Sequence, residues 1–238
     1  MSELSSWFQG IDPDRIMEWL MFALAAMISI SVHESSHALS AYWLGDDTAK
    51  RMKRISLNPL RHLDPVGFVM MVVAHFGWAK PVPINPYRMT KIKSPKLGMA
   101  LTAAAGPISN LLLALLFGLA FWGIGADYNG EYYFLAGPKG SAMGYLSQLL
   151  WACLSLNAGL AVFNLIPISP LDGSKILAIV LPEDSYALLM QYERYGMLLL
   201  IALLWMGVLT GPLSFLVKGL ISGIGAIARP LAQLLAGG

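Results

Sequence analysis

Charged side chains are scarce in this sequence. Asp, Glu, Lys and Arg make up 13% of its 238 residues, and hydrophobic residues make up 56%. A soluble domain carries about 25% charged residues, so this chain has too little polar surface to coat a water-facing globule. Three stretches have no charged residue at all, namely 98–126, 140–171 and 195–217. Because roughly 20 apolar residues cross a bilayer, these stretches exclude a soluble protein and predict an all-α polytopic membrane protein.

Cysteine pairs and a basic leader are also missing. The single cysteine, Cys153, excludes an intrachain disulfide, and its uncharged surroundings predict that it packs as a small apolar side chain. A cleaved signal peptide begins with basic residues, whereas residues 1–18 carry four acidic side chains and Arg15 alone as a basic one. We therefore interpret residues 15–44 as a first transmembrane segment and not as a cleaved leader.

The basic residues that are present lie mainly in one part of the chain. Ten of the sixteen Lys and Arg residues fall between positions 50 and 96, and the positive-inside rule places that stretch in the cytoplasm. We predict four transmembrane helices, at 15–44, 98–124, 143–166 and 195–217. Both termini are then outside the cell (inner) membrane, and the tail, 218–238, is expected along its interface. We expect one integral-membrane domain over 1–238, with a core at 15–180 and a C-terminal span and tail at 190–238.

Two segments do not fit a simple span. Residues 66–77 are apolar but too short to cross, and their β-branched residues and the three prolines between positions 81 and 86 favour strands and turns. We therefore predict a re-entrant segment there. Residues 164–173 interrupt the third helical pattern with two prolines and then supply Asp172. A helix broken within a membrane beside a carboxylate is typical of a functional site.

The segment His33-Glu34-Ser35-Ser36-His37 is an HExxH motif. Residues four apart share one face of a helix, so both imidazoles can reach one metal ion. Zinc in such a site lowers the pKa of water toward about 7, and the glutamate accepts the proton and later donates it to the leaving amine. The alternative is two buried histidines that are hydrogen-bonded in a helix bundle.

A catalytic zinc needs a third protein ligand and an open fourth position. The candidates are His62, Asp64, His75 and Asp172. Asp64 precedes a proline and indicates a turn, His62 is expected on the surface, and His75 stays open as an alternative. Asp172 is preferred, because an ionised carboxylate at membrane depth costs about 2.5–3.5 kcal/mol that a divalent ion would offset. Otherwise Asp172 is a loop residue that faces Lys175.

The sequence resembles the site-2 protease family of intramembrane zinc metalloproteases, in its compact branch without PDZ and CBS domains. That family has an HExxH in an early span and an NxxPxxxLDG run in a later one. Here these are residues 33–37 and the run from Asn164 to Gly173. Further similarity lies in RISLNPLRHLDPVG (54–67), GWAKPVPINP (77–86) and AAAGPISN (103–110). The resemblance covers about residues 30–180, and Ser174-Lys175 departs from the family's usual Gly-Arg, which leaves the role of Lys175 open.

The resemblance implies a set of roles. His33, His37 and Asp172 would bind one Zn²⁺, and Glu34 would be the catalytic acid and base. Asn164 would hydrogen-bond the substrate backbone, and residues 66–86 would form a membrane-embedded β-hairpin that presents the substrate as an extended strand. Asn157 lies seven residues before Asn164, on nearly the same helix face, and either lines the site or packs between helices.

The function that these observations favour is that of an intramembrane zinc endopeptidase. Its expected partners are the lipid bilayer and a transmembrane protein substrate, with no nucleic acid. A divalent-metal transporter or channel that uses the same histidines and aspartate is the alternative, although the chain has neither the internal repeat nor the second broken helix typical of transporters. A catalytically silent scaffold is a third possibility, against which the intact Glu34 argues.

Overall fold

The architecture comes from a computed structural model that describes residues 13–74, 78–131, 133–182, 185 and 191–236. The helices are α1 (Pro13–Trp43), α2 (Thr48–Arg51), α3 (Pro65–Ala74), α4 (Pro95–Gly123), α5 (Ala142–Asn164), α6 (Asp172–Leu177), α7 (Glu193–Trp205) and α8 (Thr210–Ala236). Single 3₁₀ turns lie at Pro59–Arg61, Pro86–Arg88 and Ala178–Val180. Strands β1 (Asp127–Tyr128) and β2 (Tyr133–Phe134) form a small antiparallel pair between α4 and α5.

Among the described residues, four helices are long and apolar enough to cross a membrane: Pro13–Trp43, Pro95–Gly123, Ala142–Asn164 and Thr210–Leu234. Local sequence signals explain where two of them begin. The Ser94 side chain accepts a hydrogen bond from the Leu97 N–H, and Pro95 occupies the first turn, where its missing N–H costs nothing. Ser141 likewise accepts from the Gly144 N–H at the start of α5. The prediction of an all-α polytopic membrane protein is confirmed.

The predicted position of the fourth span, 195–217, is wrong. Helix α7 ends at Trp205, and Gly207 follows with a φ of +73°, a left-handed conformation that glycine adopts most readily and that commonly ends helices. With 13 residues, α7 is about 20 Å long, which is too short to cross the hydrocarbon core. The membrane-length helix is α8, which contains most of the tail that we expected along the interface.

The predicted β-hairpin over residues 66–86 is also wrong in its first half. Residues 65–74 form α3, where Asp64 Oδ1 accepts from the Gly67 N–H at 2.9 Å, as a helix N-cap does. A helix satisfies its own backbone groups, which a lone hairpin between lipids would leave unpaired at its edges. Residues 78–85 contain no helix, and a single antiparallel bridge joins Ala79 to Leu63.

Ion pairs define one end of the helix bundle. Lys139 Nζ lies 3.3 Å from Asp14 Oδ2 at the start of α1. Arg229, near the far end of α8, pairs with Asp127 beyond the end of α4 at 2.7 Å. The first residues of α1, the 125–141 connection and the last turns of α8 therefore share one end. The HExxH motif lies toward the other end, where Ser35 Oγ donates to the carbonyl oxygen of Ser56 in the basic stretch and Asp172 of α6 meets the histidines.

Small residues bring the long helices together. Ala114, Ala158 and Ala228 are fully buried in an apolar cluster formed by α4, α5 and α8. A Cβ on Gly118 of α4 would lie 2.7 Å from Ile224 Cγ2 of α8, so glycine permits this close approach. Helix α4 thus packs against α1, α5 and α8, and its middle faces the histidines of α1.

Candidate metal site

Helix α1 presents the two HExxH histidines to the bundle interior. His33 and His37 lie one turn apart and are 8% and 7% exposed. Their Nε2 atoms lie 3.0 Å from each other, and each lies 3.3 Å from Asp172 Oδ2. The sequence places Asp172 far from both histidines, and the fold brings the three side chains into one buried group that could hold a metal ion.

The spacing of these three atoms fits zinc. Zn–N distances of about 2.0–2.1 Å and Zn–O distances of about 2.0–2.2 Å at tetrahedral angles put neighbouring ligand atoms roughly 3.3–3.4 Å apart. The observed edges of the triangle are 3.0, 3.3 and 3.3 Å. Asp172 Oδ2 is buried and has no hydrogen-bond partner among the described residues. A bound cation would satisfy this oxygen, which would otherwise be costly to bury.

The other ring nitrogens of both histidines face oxygen atoms. His37 Nδ1 lies 2.7 Å from the carbonyl oxygen of Thr102, and His33 Nδ1 lies 2.5 Å from Asn110 Oδ1. A backbone carbonyl can only accept, so His37 donates from Nδ1, and Nε2 of the neutral ring is left with a lone pair for a metal. Metal-binding histidines are oriented in this way, by a hydrogen bond from the nitrogen that does not bind.

A glycine on α4 makes room for the imidazoles. A Cβ at Gly106 would lie 2.5 Å from the Cε1 atoms of both His33 and His37. Real Cβ contacts are essentially never this short, so any side chain here would displace the rings. The atoms that approach α4 most closely at this glycine are therefore those of the two imidazoles.

Asp172 reaches the histidines through the break that follows α5. Helix α5 ends at Asn164, and Asp172 is the first residue of the short helix α6. A Cβ at Gly173 would clash with the Leu165 carbonyl oxygen and lie 2.5 Å from that of Ile166. Glycine at this position therefore lets α6 fold back against the end of α5, which directs the carboxylate of its neighbour toward α1.

Glu34 lies beside the metal group and faces a cavity of about 160 Å³. Its Oε2 accepts a hydrogen bond of 3.1 Å from the Val82 N–H. The lining includes the three metal-site residues, Asn164 and Lys175, with Pro81, Val82, Ile84, Met99, Ala103 and Pro170 completing it. The cavity beside the histidine–aspartate group is therefore lined by three further polar side chains, those of Glu34, Asn164 and Lys175, and otherwise by apolar residues.

The remaining candidates from the sequence have different surroundings. Asn164 lines the cavity, and its Nδ2 donates to Leu160 O at 3.0 Å. Asn157 is fully buried between helices and does not line that cavity. The expectation that His62 lies on the surface is wrong, because it is fully buried and its Nε2 lies 2.6 Å from Ser56 O. His75 lies outside the described residues.

Asn110 is a further polar member of this group that no motif in the sequence predicted. This residue is fully buried, and it is the contact of His33 Nδ1 on α4. It ends the AAAGPISN run, in the middle of the uncharged stretch 98–126. A strongly hydrogen-bonding amide at such a position is itself a signal, since polar side chains within a membrane are costly and usually have a defined partner.

Membrane-length helices around a buried His–His–Asp group, with a glutamate next to it in an HExxH motif, define the class of membrane metallohydrolases. The chain belongs to peptidase family M50, because the profile of that family matches residues 21–207, well over half of it. The resemblance to the site-2 proteases is thereby confirmed. The protein is a membrane metalloprotease, and its cofactor is Zn²⁺.

Similar proteins carry consistent names. One is "Putative zinc metalloprotease YwhC" of Bacillus subtilis (strain 168), 38% identical over 191 residues that cover 80% of this chain and 82% of that protein. Another is "Putative zinc metalloprotease Rip2" of Mycolicibacterium smegmatis, 29% identical over 198 residues that cover 79% and 65%. The Rip2 protein of Mycobacterium tuberculosis (strain H37Rv) is 26% identical over 203 residues, which cover 81% and 70%. No solved structure matches the chain at a significant level.

Proposed function

We propose that this protein is an intramembrane endopeptidase that cleaves transmembrane segments of other membrane proteins, in regulated intramembrane proteolysis. The observation that carries the proposal is the position of the metal group, with Glu34, at a cavity enclosed by membrane-length helices. His33 lies about 30 Å along α1 from Pro13, at 1.5 Å per residue. That distance is about the thickness of the hydrocarbon core, so the site would lie near the basic end of the bundle.

The proposed roles follow from the contacts. His33, His37 and Asp172 would hold the ion. Zinc, when bound, supplies a Lewis acid that polarises a carbonyl and makes water a nucleophile near neutral pH. Glu34 accepts the proton of the attacking water and returns it to the leaving amine, in a position where the Val82 N–H holds one of its oxygens. Asn164 has a side-chain oxygen for a substrate N–H.

The size of the cavity favours an extended substrate. An α-helix with its side chains is about 10–12 Å across, and a volume of about 160 Å³ has no room for one. A transmembrane segment would therefore unwind before its peptide bond reaches Glu34. The non-helical residues 78–85 run along the cavity wall and are suited to contact an unwound chain.

Orientation and location are part of the proposal. The basic residues between positions 50 and 96 lie at the same end as the metal group, and the positive-inside rule assigns this end to the cytoplasm. The site would then draw its water from the cytoplasmic side of the cell membrane. The 125–141 connection would be on the opposite side.

The substitution Glu34→Gln tests the function. It replaces the carboxylate that would accept and donate the proton with an amide of nearly the same size. The three ligand side chains are unchanged. We expect zinc content to stay at one ion per chain and cleavage to fall by at least roughly 100-fold, the lower end of what a general base contributes. The measurement compares wild type and variant in liposomes containing single-span membrane proteins, with cleavage sites mapped by mass spectrometry.

The matched control is Glu131→Gln, which makes the same chemical change at an exposed position in the connection between β1 and β2. It should cleave as the wild type does. Cleavage only in loops outside the membrane would contradict the intramembrane part of the proposal. Zinc-dependent fluorescence of a dye inside the same liposomes, with no proteolysis, would instead support a transporter.

A further inference from the structure

A chain of hydrogen bonds lies beneath His33 and links α1, α4 and α5. His33 Nδ1 contacts Asn110 Oδ1 at 2.5 Å, and Asn110 Nδ2 donates to Asn157 Oδ1 at 2.7 Å. Asn157 Nδ2 donates to two oxygens at 2.8 Å each, the backbone carbonyl of Cys153 and the Ser29 hydroxyl. The chain therefore runs from a backbone carbonyl on α5 to a proposed zinc ligand on α1.

The direction of every bond in this chain is fixed at its far end. The Cys153 carbonyl can only accept. Ser29 Oγ donates its single hydrogen to Ala25 O at 2.7 Å, so it too must accept from Asn157. Both hydrogens of the Asn157 amide are thus used, and its oxygen is left to accept from Asn110. The Asn110 oxygen is consequently the atom that faces His33.

This direction selects the tautomer of His33. Because the Asn110 oxygen can only accept, Nδ1 of the imidazole must carry the hydrogen, and Nε2 then presents a lone pair to His37 and Asp172. If the Asn110 amide were reversed, its NH₂ group would face Nδ1 and the imidazole hydrogen would move to Nε2. That hydrogen would occupy the space between the three ligand atoms.

We propose that Asn110 and Asn157 are positioning residues that hold His33 in the tautomer whose Nε2 can bind zinc. The proposal rests on His33 as a zinc ligand, as argued above. We call the hydrogen bonds from Asn157 through Asn110 to His33 the relay. His37 needs no such relay, because it contacts the Thr102 carbonyl directly. The two amides place the hydrogen of His33 on Nδ1, as one backbone carbonyl does for His37.

The burial of its side chains favours one orientation of the two amides in the relay. Ser29, Asn110 and Asn157 are each 0% exposed. Reversing Asn110 alone would place its oxygen against Asn157 Oδ1, and reversing Asn157 as well would place oxygen against oxygen at Cys153 and Ser29. The low dielectric makes such unmatched polar groups costly. One orientation is therefore strongly preferred before any metal arrives.

The test measures the zinc dissociation constant of the purified full-length protein in detergent, by competition with a chelator. Asn110→Leu removes the acceptor for His33, and we expect zinc affinity to fall roughly 10- to 100-fold, as it does when outer partners of metal-binding histidines are lost. Asn110→Asp offers only acceptor oxygens to Nδ1, so it should retain affinity within about threefold of the wild type, a carboxylate being an ordinary partner for such histidines.

A double-mutant cycle separates positioning from packing. Asn157→Leu frees the Asn110 amide to reverse, so it should weaken zinc binding. In the Asn110→Asp background a reversal changes nothing, and the carboxylate has no hydrogen to give to Asn157 Oδ1. Asn157→Leu should therefore cause no further loss of affinity there. Gln148→Leu is the matched control, because it removes a buried amide from the same helix without touching the relay, and its zinc affinity should equal that of the wild type.

Unchanged affinity in folded Asn110→Leu would overturn the proposal. Equal losses from Asn157→Leu in both backgrounds would also overturn it, since they would show packing alone, and this comparison decides the matter if Asn110→Leu does not fold. His33→Ala separates the relay from the ligand assignment. If His33→Ala keeps full zinc affinity, the ligand assignment fails; if it loses zinc while Asn110→Leu retains it, only the relay fails.

Discussion

Gly106 shows how a single missing side chain supports the metal group. The HExxH motif supplies two imidazoles on one face of α1, but the opposing helix must leave space for both rings. Gly106 provides that space, and Thr102, one turn earlier on α4, accepts the hydrogen bond that orients His37. The geometry of the ligands therefore depends on residues that do not themselves bind the metal.

We predict that Gly106→Ala weakens zinc binding by roughly tenfold or more, because its Cβ would push both imidazoles away from Asp172. Helix content should not fall, since alanine is the better helix former. Chelator competition gives the affinity, and circular dichroism gives the helix content.

The control for this variant is Gly123→Ala on the same helix, where a Cβ would meet no atom within 4 Å. It should bind zinc as the wild type does. If Gly106→Ala also binds zinc normally, the rings do not depend on this contact.

At the level of single residues, the sequence predicted the candidate metal ligands and the candidate acid and base. It did not predict the burial or the hydrogen-bond partners of other polar residues, which depend on how the helices pack. His33, Glu34 and His37 were predicted from the spacing, and Asp172 from its charge beside a broken span. The burial of His62 and the contact of Asn110 depend on which helices pack together, and no local pattern states that. Asn157 was noted because it lies seven residues before Asn164 on nearly the same helix face, but its partners on α1 and α4 were visible only in the fold.

The break between α5 and α6 is the element that brings Asp172 to α1. Its two prolines interrupt the helix, and Gly173 allows the next turn to lie against the carbonyl oxygens of Leu165 and Ile166. Leu165 is the C-cap of α5, and Ile166 lies just beyond it, where its oxygen accepts from the Ile168 N–H at 2.8 Å. The segment therefore acts as a short rigid corner.

We expect Gly173→Ala to shift α6 and to lower zinc affinity by roughly tenfold or more, because the added Cβ clashes with backbone atoms that cannot rotate away. The long helices do not depend on this corner and should remain folded. Zinc binding and thermal unfolding, measured on the same sample, separate the two effects.

Gly159→Ala is the matched control on α5, since no atom lies within 4 Å of the position of its Cβ. The interpretation of the corner would be contradicted by a Gly173→Ala protein with normal zinc affinity. Equal loss of affinity in both variants would point to general destabilisation.

Element boundaries were predicted best where composition changes sharply. The ends of α4 and α5 follow from charge and capping residues. The end of α7 and the start of α8 lie within one uncharged stretch, 195–217, and are separated by the backbone conformation of Gly207. Helix α3 was misread because β-branched residues suit strands in water, and within a membrane the need to pair backbone groups outweighs that preference. The number of membrane-length helices was right although the last one was misplaced.

The two ends of the whole molecule make orientation testable. The pairs Lys139–Asp14 and Arg229–Asp127 place the 125–141 connection opposite the basic stretch. In a Cys153→Ala background, we expect Glu131→Cys to react with a membrane-impermeant maleimide in intact cells. Lys93→Cys should react only after the cells are made permeable, because both positions are exposed but on opposite sides.

The wild-type protein is the control for this labelling, since Cys153 is fully buried and should stay unlabelled throughout. Labelling of Lys93→Cys but not Glu131→Cys in intact cells would reverse the proposed orientation. The zinc content of each variant, purified from the same cells, would confirm that the fold is retained.

The separation of the three metal-site residues along the chain has a thermodynamic consequence. An ion held by α1 and by Asp172 would be a removable cross-link that closes most of the chain into a loop, in which respect it would resemble a long-range disulfide. Above its dissociation constant, each tenfold rise in free zinc would add about 1.4 kcal/mol to the free energy of unfolding. The cellular lifetime of this protein would then follow zinc supply, independently of any substrate it meets.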